Sequence, residues 1–103
     1  MSNIAYVVIS KFVIANDMLE EVKQAFLQRP HLVDNEPGFL GMEVLSNIEH
    51  PEEIFLVTRW SDLENYRKWH KSHSYQQSHI GIPKGLKLVP EETRIKEFEV
   101  VCQ

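Results

Sequence analysis

Trp69 and His79 are the side chains of this sequence best suited to chemistry, and they stand ten positions apart. A neutral imidazole can ligate a metal or a haem iron, and an indole offers a large flat surface with one N–H donor. Both belong to the stretch Ser61 to His79, S-D-L-E-N-Y-R-K-W-H-K-S-H-S-Y-Q-Q-S-H, which holds three of the five histidines and two of the three tyrosines. Two rigid pieces joined by a bend would bring the two ends of this segment to one cavity. The plainer alternative is a surface histidine and a core tryptophan. A zinc site from His70, His73 and His79 is disfavoured, because the spacing fits no standard ligand pattern and no cysteine accompanies it.

The elements around this stretch can be read in turn. Ser61 with Glu64 three places on forms a capping box, which starts a helix with Leu63 and Tyr66 on its apolar side. Ser72 or Ser74 can cap a second short helical piece ending near His79. Ile4 to Ile14 is rich in β-branched residues and reads as a strand. Ala5, Val7, Ile9 and Val13 point one way, and Ile4, Tyr6, Val8 and Phe12 the other. Ser10 falls among the second set, either as a tolerated core hydroxyl or as a donor facing a ligand. Asn16 and Asp17 are both helix caps, Asp17 with Glu20 resembles another capping box, and the helix they open runs to about Arg29 with Leu19, Val22 and Phe26 buried. Pro30 ends it, and His31 beyond reads as a helix-surface residue. A P-G-F-L-G turn leads to strands at Phe39–Leu45 and Ile54–Trp60. The irregular loop I-G-I-P-K-G-L-K-L-V-P precedes a last strand at Thr93–Val101.

The order is β-α-β-β-α-β over one domain, residues 1–103. It specifies an α+β, ferredoxin-like fold: a four-stranded antiparallel sheet with both helices on one face. That leaves the other sheet face bare, yet the first and third strands are apolar on both sides. A second copy of the chain, a flat apolar ligand, or both must cover it. A homodimer packed sheet against sheet is the expected solution, and a domain this small gains stability from a partner.

Composition narrows the function classes. A net charge of −4, with no basic cluster, argues against nucleic acid or an anionic membrane surface as partner. No apolar run approaches a membrane span, and the N-terminal stretch reads as a strand and not as a signal peptide. The single cysteine, Cys102, cannot form an internal disulfide, which fits a reducing compartment, the cytoplasm.

Taken together, F-L-Q-R-P-H-L-V-D-N-E-P-G-F-L-G-M-E-V-L, the V-T-R-W strand end and the histidine ten residues after Trp69 resemble the antibiotic biosynthesis monooxygenase superfamily of dimeric α/β-barrel proteins. The likeness spans about Ala5 to Val101 and is closest to the IsdG-like haem-degrading monooxygenases. It implies His79 as axial ligand of a haem iron and Trp69 as the residue that presses on the porphyrin face. Tyr6 and Phe12 would line the haem cavity. The family's distal hydrogen-bond donor is an asparagine on the first strand. This sequence has Ser10 there, and serine donates one bond from a shorter side chain. The departure bears on turnover more than on binding.

The activity implied is oxidative opening of haem, bound as cofactor and substrate together, by O2, with iron release. An external electron donor is required, since no nucleotide-binding glycine fingerprint is present. Two alternatives stay open. One is a cofactor-independent monooxygenase acting on a phenolic or quinol molecule, and the other is a dimer that binds haem or another small ligand without catalysis.

Overall fold

The computed structural model describes residues 5–28, 33–72 and 83–102. Its elements are β1 (Tyr6–Val13), α1 (Leu19–Leu27), β2 (Phe39–Ser46), β3 (Glu53–Trp60), α2 (Leu63–His70) and β4 (Arg94–Glu99), with short 3-10 turns at Val33–Asn35 and Pro90–Glu92. The strands form one antiparallel sheet in the order β2-β3-β1-β4. This is the ferredoxin-like arrangement that the element order implies.

Strand alternation assigns the two faces. Val8 and Trp60 pack with Tyr66 of α2, while Ile14 and Ile54 pack with Val22 of α1. The helix-side set on β1 is therefore Tyr6, Val8, Ser10 and Phe12, continuing to Ile14. Two separate core clusters result. One, under α2, gathers Phe39, Met42, Leu63 and Trp69 around the wholly buried Trp60. The other, under α1, gathers Phe12, Leu19, Phe26, Leu56 and Leu86.

The opposite face carries Val7, Ile9, Phe55 and Val57 in the central strands, by the same alternation and register. Leu45 and Phe98 extend it on the outer strands and are 46% and 45% exposed. Among the described residues no helix covers this side. The double apolar patterning of β1 and β3 is thus present in the fold as well as in the sequence.

Both expected capping boxes are replaced by other arrangements. Helix α2 starts one residue later than the sequence suggests, capped by Asp62. Its carboxylate accepts from the Asn65 backbone N–H at 2.8 Å and from Asn65 Nδ2 at 2.9 Å. Ser61 is already used: its N–H donates to the Gly38 carbonyl at 2.8 Å and closes the end of β3 on the turn before β2. Such a cap contributes about 1 kcal/mol. Helix α1 begins after Met18 with no side-chain cap at all. Asn16 is committed elsewhere, donating from Nδ2 to the Gly85 carbonyl at 2.9 Å.

That bond belongs to a strap. Ala15 N–H donates to the Lys87 carbonyl at 2.7 Å, Val89 N–H to the Val13 carbonyl at 2.9 Å, and Ile14 bridges Leu88. The loop before β4 is irregular in sequence, yet residues 85–89 run alongside the end of β1. Their backbone groups find partners there that a free loop would leave to water.

Gly38 marks a position where only glycine fits. Its φ is +79°, and a Cβ there would stand 2.7 Å from Asn65 Nδ2 and 2.9 Å from Ser61 Oγ. Gly38→Ala is expected to destabilise the fold by about 1–3 kcal/mol, through left-handed backbone strain and displacement of the α2 cap. A urea titration followed by circular dichroism would measure it, and an unchanged midpoint would contradict this account.

Candidate active site

Helix α2 presents Leu63, Tyr66 and Trp69, three residues apart in turn, to the sheet. Its last turn is closed on Trp69 itself. Both the backbone N–H and the hydroxyl of Ser72 donate to the Trp69 carbonyl, at 2.8 and 2.6 Å. The indole is held from the other side by rings. Its centroid lies 5.7 Å from Trp60 and 6.3 Å from Tyr66. Trp60 is fixed in turn, with Phe39 edge-on at 5.4 Å, Tyr66 edge-on at 5.6 Å and its Nε1 donating to Thr58 Oγ1 at 2.9 Å. Separations of this size are favourable aromatic contacts. Trp69 is therefore a half-buried indole on a rigid platform.

The sheet supplies the floor. Across all four strands the register lines up Val44, Leu56, Ser10 and Ile95 on the helix side. Ser10 belongs to neither core cluster. It lies between Val8, which packs under α2, and Phe12, which packs under α1. Val44 and Ile95, at the ends of this row, are 36% and 52% exposed. Among the described residues the Ser10 hydroxyl makes no side-chain hydrogen bond. The row is an apolar strip with one donor at its centre, and Trp69 is on the same side of the sheet.

A surface ion pair ties α2 to the sheet edge. Arg67 meets Glu97 of β4 with two bonds, Nη2 to Oε1 at 2.7 Å and Nε to Oε2 at 3.3 Å. Glu97 stands opposite Val8 across the β1–β4 ladder. The side-chain hydrogen bond from Arg67 holds the Glu97 carboxyl below the usual range, and the same bond raises the guanidinium.

The residues named from sequence are placed as follows. Ser10, Trp69 and Tyr6 share the helix side of the sheet, Tyr6 opposite Trp60 in register. Phe12 is part of the core under α1, with its ring 6.3 Å from Phe26. His31, His73 and His79 lie outside the described residues. Among the described residues no group of three His, Cys, Asp or Glu side chains is arranged to hold a metal ion.

The model of the antibiotic biosynthesis monooxygenase family matches residues 5–79. This chain belongs to that family. It is 34% identical over 83 residues to a mycobilin-producing haem oxygenase of Mycobacterium tuberculosis, covering 79% of this chain and 74% of the relative. It is 39% identical over 49 residues to a haem-degrading monooxygenase of Bacillus cereus, covering 46% of each. The fold superposes on the haem degrader MhuD of M. tuberculosis, solved with two haems in its active site. The TM-score is 0.76 at 28% identity, over 95% of this chain and 97% of the other. A cofactor-independent oxygenase of Streptomyces nogalater, SnoaB, shares the fold at TM-score 0.67 and 10% identity, covering 97% and 94%.

Family membership does not by itself say which concavity is used. A groove of about 370 Å³ lies along the outer side of α1, lined by Glu20, Glu21, Gln24, Ala25, Gln28 and Pro83. Neither Ser10, Tyr6 nor Trp69 lines it. The row Val44, Leu56, Ser10 and Ile95 is the apolar strip on the same side of the sheet as Trp69. Sequence reading found Ser10 and Trp69 but not Val44, Leu56 and Ile95 as their companions. Nor did it identify Trp60 as the platform, although V-T-R-W marked the strand end. The missing signal is register, which links residues dozens of positions apart.

Proposed function

We propose that this protein is a haem-degrading monooxygenase, with haem bound on the helix side of the sheet between Trp69 and the strip centred on Ser10. One observation carries the reading: Trp69 is locked on the Trp60–Tyr66 platform at the end of α2, on the same side of the sheet as an apolar row holding one free hydroxyl. The likeness to haem-binding and haem-degrading relatives supports it.

Bound haem would supply an iron that binds O2 and a ring that is itself the substrate. The chain's own residues then have separable tasks. His79 would hold the haem iron through a neutral imidazole. Trp69 would press on the ring face, and its platform would keep it from yielding. Ser10 would donate a hydrogen bond into the site. Leu56, Val44 and Ile95 would exclude water from the ring. Electrons would come from an external donor.

An absorbance titration with haemin tests the reading. The expected result is a defined Soret band that saturates, followed by bleaching when a reductant and air are added. No saturable Soret change would sink it. Saturable binding without bleaching would confine the protein to haem binding.

The bare sheet face supports a second part of the proposal, a homodimer that buries Val7, Ile9, Phe55, Leu45 and Phe98 against their copies, around the already buried Val57. A contiguous apolar patch left exposed is characteristic of an interface. Sedimentation equilibrium is expected to return twice the chain mass, and a purely monomeric protein would remove this part. A reducing compartment, the cytoplasm, is proposed as its location on the strength of its single thiol.

A further inference from the structure

The aromatic platform does more than hold Trp69 in place. Five rings form one connected group: Phe39, Trp60, Tyr66, Trp69 and His70. Trp69 is 6.3 Å from Tyr66 directly, and the path through Trp60 has steps of 5.7 and 5.6 Å. Tyr66 in turn is 5.7 Å from His70, a half-buried ring at the end of α2. All are centroid separations of rings near van der Waals contact. Electron tunnelling is fast across such gaps and falls steeply beyond them.

We propose that Trp69, Trp60 and Tyr66 form a relay that carries oxidising equivalents away from the site beside Trp69 and parks them on Tyr66. The direction follows from the chemistry of the rings. Phenylalanine is not oxidised under mild conditions, so Phe39 closes one branch. At neutral pH a phenol, which loses a proton with its electron, is easier to oxidise than an indole; Tyr66 is 6% exposed but has the half-buried His70 ring 5.7 Å away, on the branch that leads out of the core, so Tyr66 is the sink. Trp60 is wholly buried with its N–H bound to Thr58 Oγ1, a neutral acceptor that cannot remove a proton, so it conducts without holding the charge.

The steps balance. An oxidant at the site takes one electron from Trp69 and leaves its radical cation. The radical cation takes an electron from Tyr66. Trp69 is restored, Tyr66 becomes a phenoxyl radical, and the phenolic proton passes to buffer. A one-electron donor of the ascorbate class then passes an electron to the phenoxyl, which regains a proton from buffer, while the ascorbate monoanion loses its own proton and becomes the ascorbyl radical. With hydrogen peroxide as oxidant, two such electrons and two protons convert it to two molecules of water. The relay would protect the polypeptide when oxidising equivalents form without being used on the ring. Its purpose rests on the haem reading above, but its existence does not.

The test therefore begins on the protein without haem. Azide radicals generated by pulse radiolysis oxidise accessible indoles. They reach the half-buried Trp69 and not the wholly buried Trp60. The expected result is indolyl absorbance that decays as phenoxyl absorbance grows, in a first-order step independent of protein concentration. Tyr66→Phe should abolish that growth, and Trp69→Phe should remove the starting indolyl signal. Circular dichroism confirms that each variant is folded, and Trp69→Phe serves as the independent check should Tyr66→Phe not fold. Unchanged phenoxyl growth in Tyr66→Phe overturns the proposal and leaves Tyr6, the residue facing Trp60 across the ladder, or Tyr75 as the source.

The second arm uses the haem-loaded protein, treated with hydrogen peroxide and frozen for electron paramagnetic resonance. A tyrosyl signal present in the parent and lost in Tyr66→Phe is expected. Its absence from the parent, with the first arm positive, overturns the link between the relay and the site. Failure to load haem at all sinks the haem reading, and with it the proposed purpose, while leaving the radiolysis result standing.

Discussion

Trp60→Ala is expected to cost about 3–5 kcal/mol, the range for truncating a buried aromatic in a packed core. Trp60 has no exposed surface, and Phe39, Tyr66 and Trp69 all lean on its ring. The truncation also strips Thr58, itself buried, of its indole partner. A small domain has only about 5–15 kcal/mol to lose. For a chain of this length, 1 kcal/mol moves the melting temperature by roughly 4–8 °C. The melting temperature should therefore fall by roughly 12 °C or more. Thermal melts by circular dichroism would show it. A variant that melts with the parent would mean that the cluster under α2 is not the keystone described here. Trp60→Phe, which keeps a ring, should fall much less.

His79→Ala should remove the defined Soret band on haemin titration. Axial ligation is a direct bond to iron, so its loss should exceed the roughly 10–100-fold that even an outer partner of a metal ligand typically carries. Added imidazole should restore part of the spectrum, because it replaces the ligand without replacing the chain. Trp69→Phe is the informative contrast. In the proposed arrangement it would alter the pressure on the ring face and leave ligation intact, so haemin should still bind, with a shifted spectrum. Unchanged uptake by His79→Ala would take that histidine out of the site and leave the strip and indole to some other flat ligand.

The two outcomes test different levels of the structure. Trp60 belongs to packing, and its effect should appear with no ligand present. His79, in its proposed role, serves recognition, and its effect should appear only with haemin. A variant that fails in both assays would show that the platform and the site are one cooperative unit, which the shared position of Trp69 makes reasonable.

Much of this protein was legible as a linear pattern. Period-two alternation in β1 and β3, a helical stripe at Leu19, Val22 and Phe26, and the Pro37–Gly38 turn were enough for the element order and hence the sheet topology. The helix starts were not. Ser, Asp and Asn near a helix start all offer capping oxygens, and the choice among them is made by distant contacts. Asp62 caps α2, the Ser61 N–H that Glu64 would have needed is bonded to Gly38, and Asn16 holds Gly85 instead of opening α1.

The alternation, the order of elements, the surplus of apolar surface and the interest of Ser10 and Trp69 can all be read along the chain. These are local properties, set by side-chain chemistry and by neighbours a few positions away. That Ser10 lies between two cores, in line with Val44, Leu56 and Ile95, and that Trp60 supports Trp69, emerges from the folded chain alone. Those relations come from strand register and ring packing between segments far apart in the chain. Both depend on how whole elements settle against one another, which no local pattern encodes.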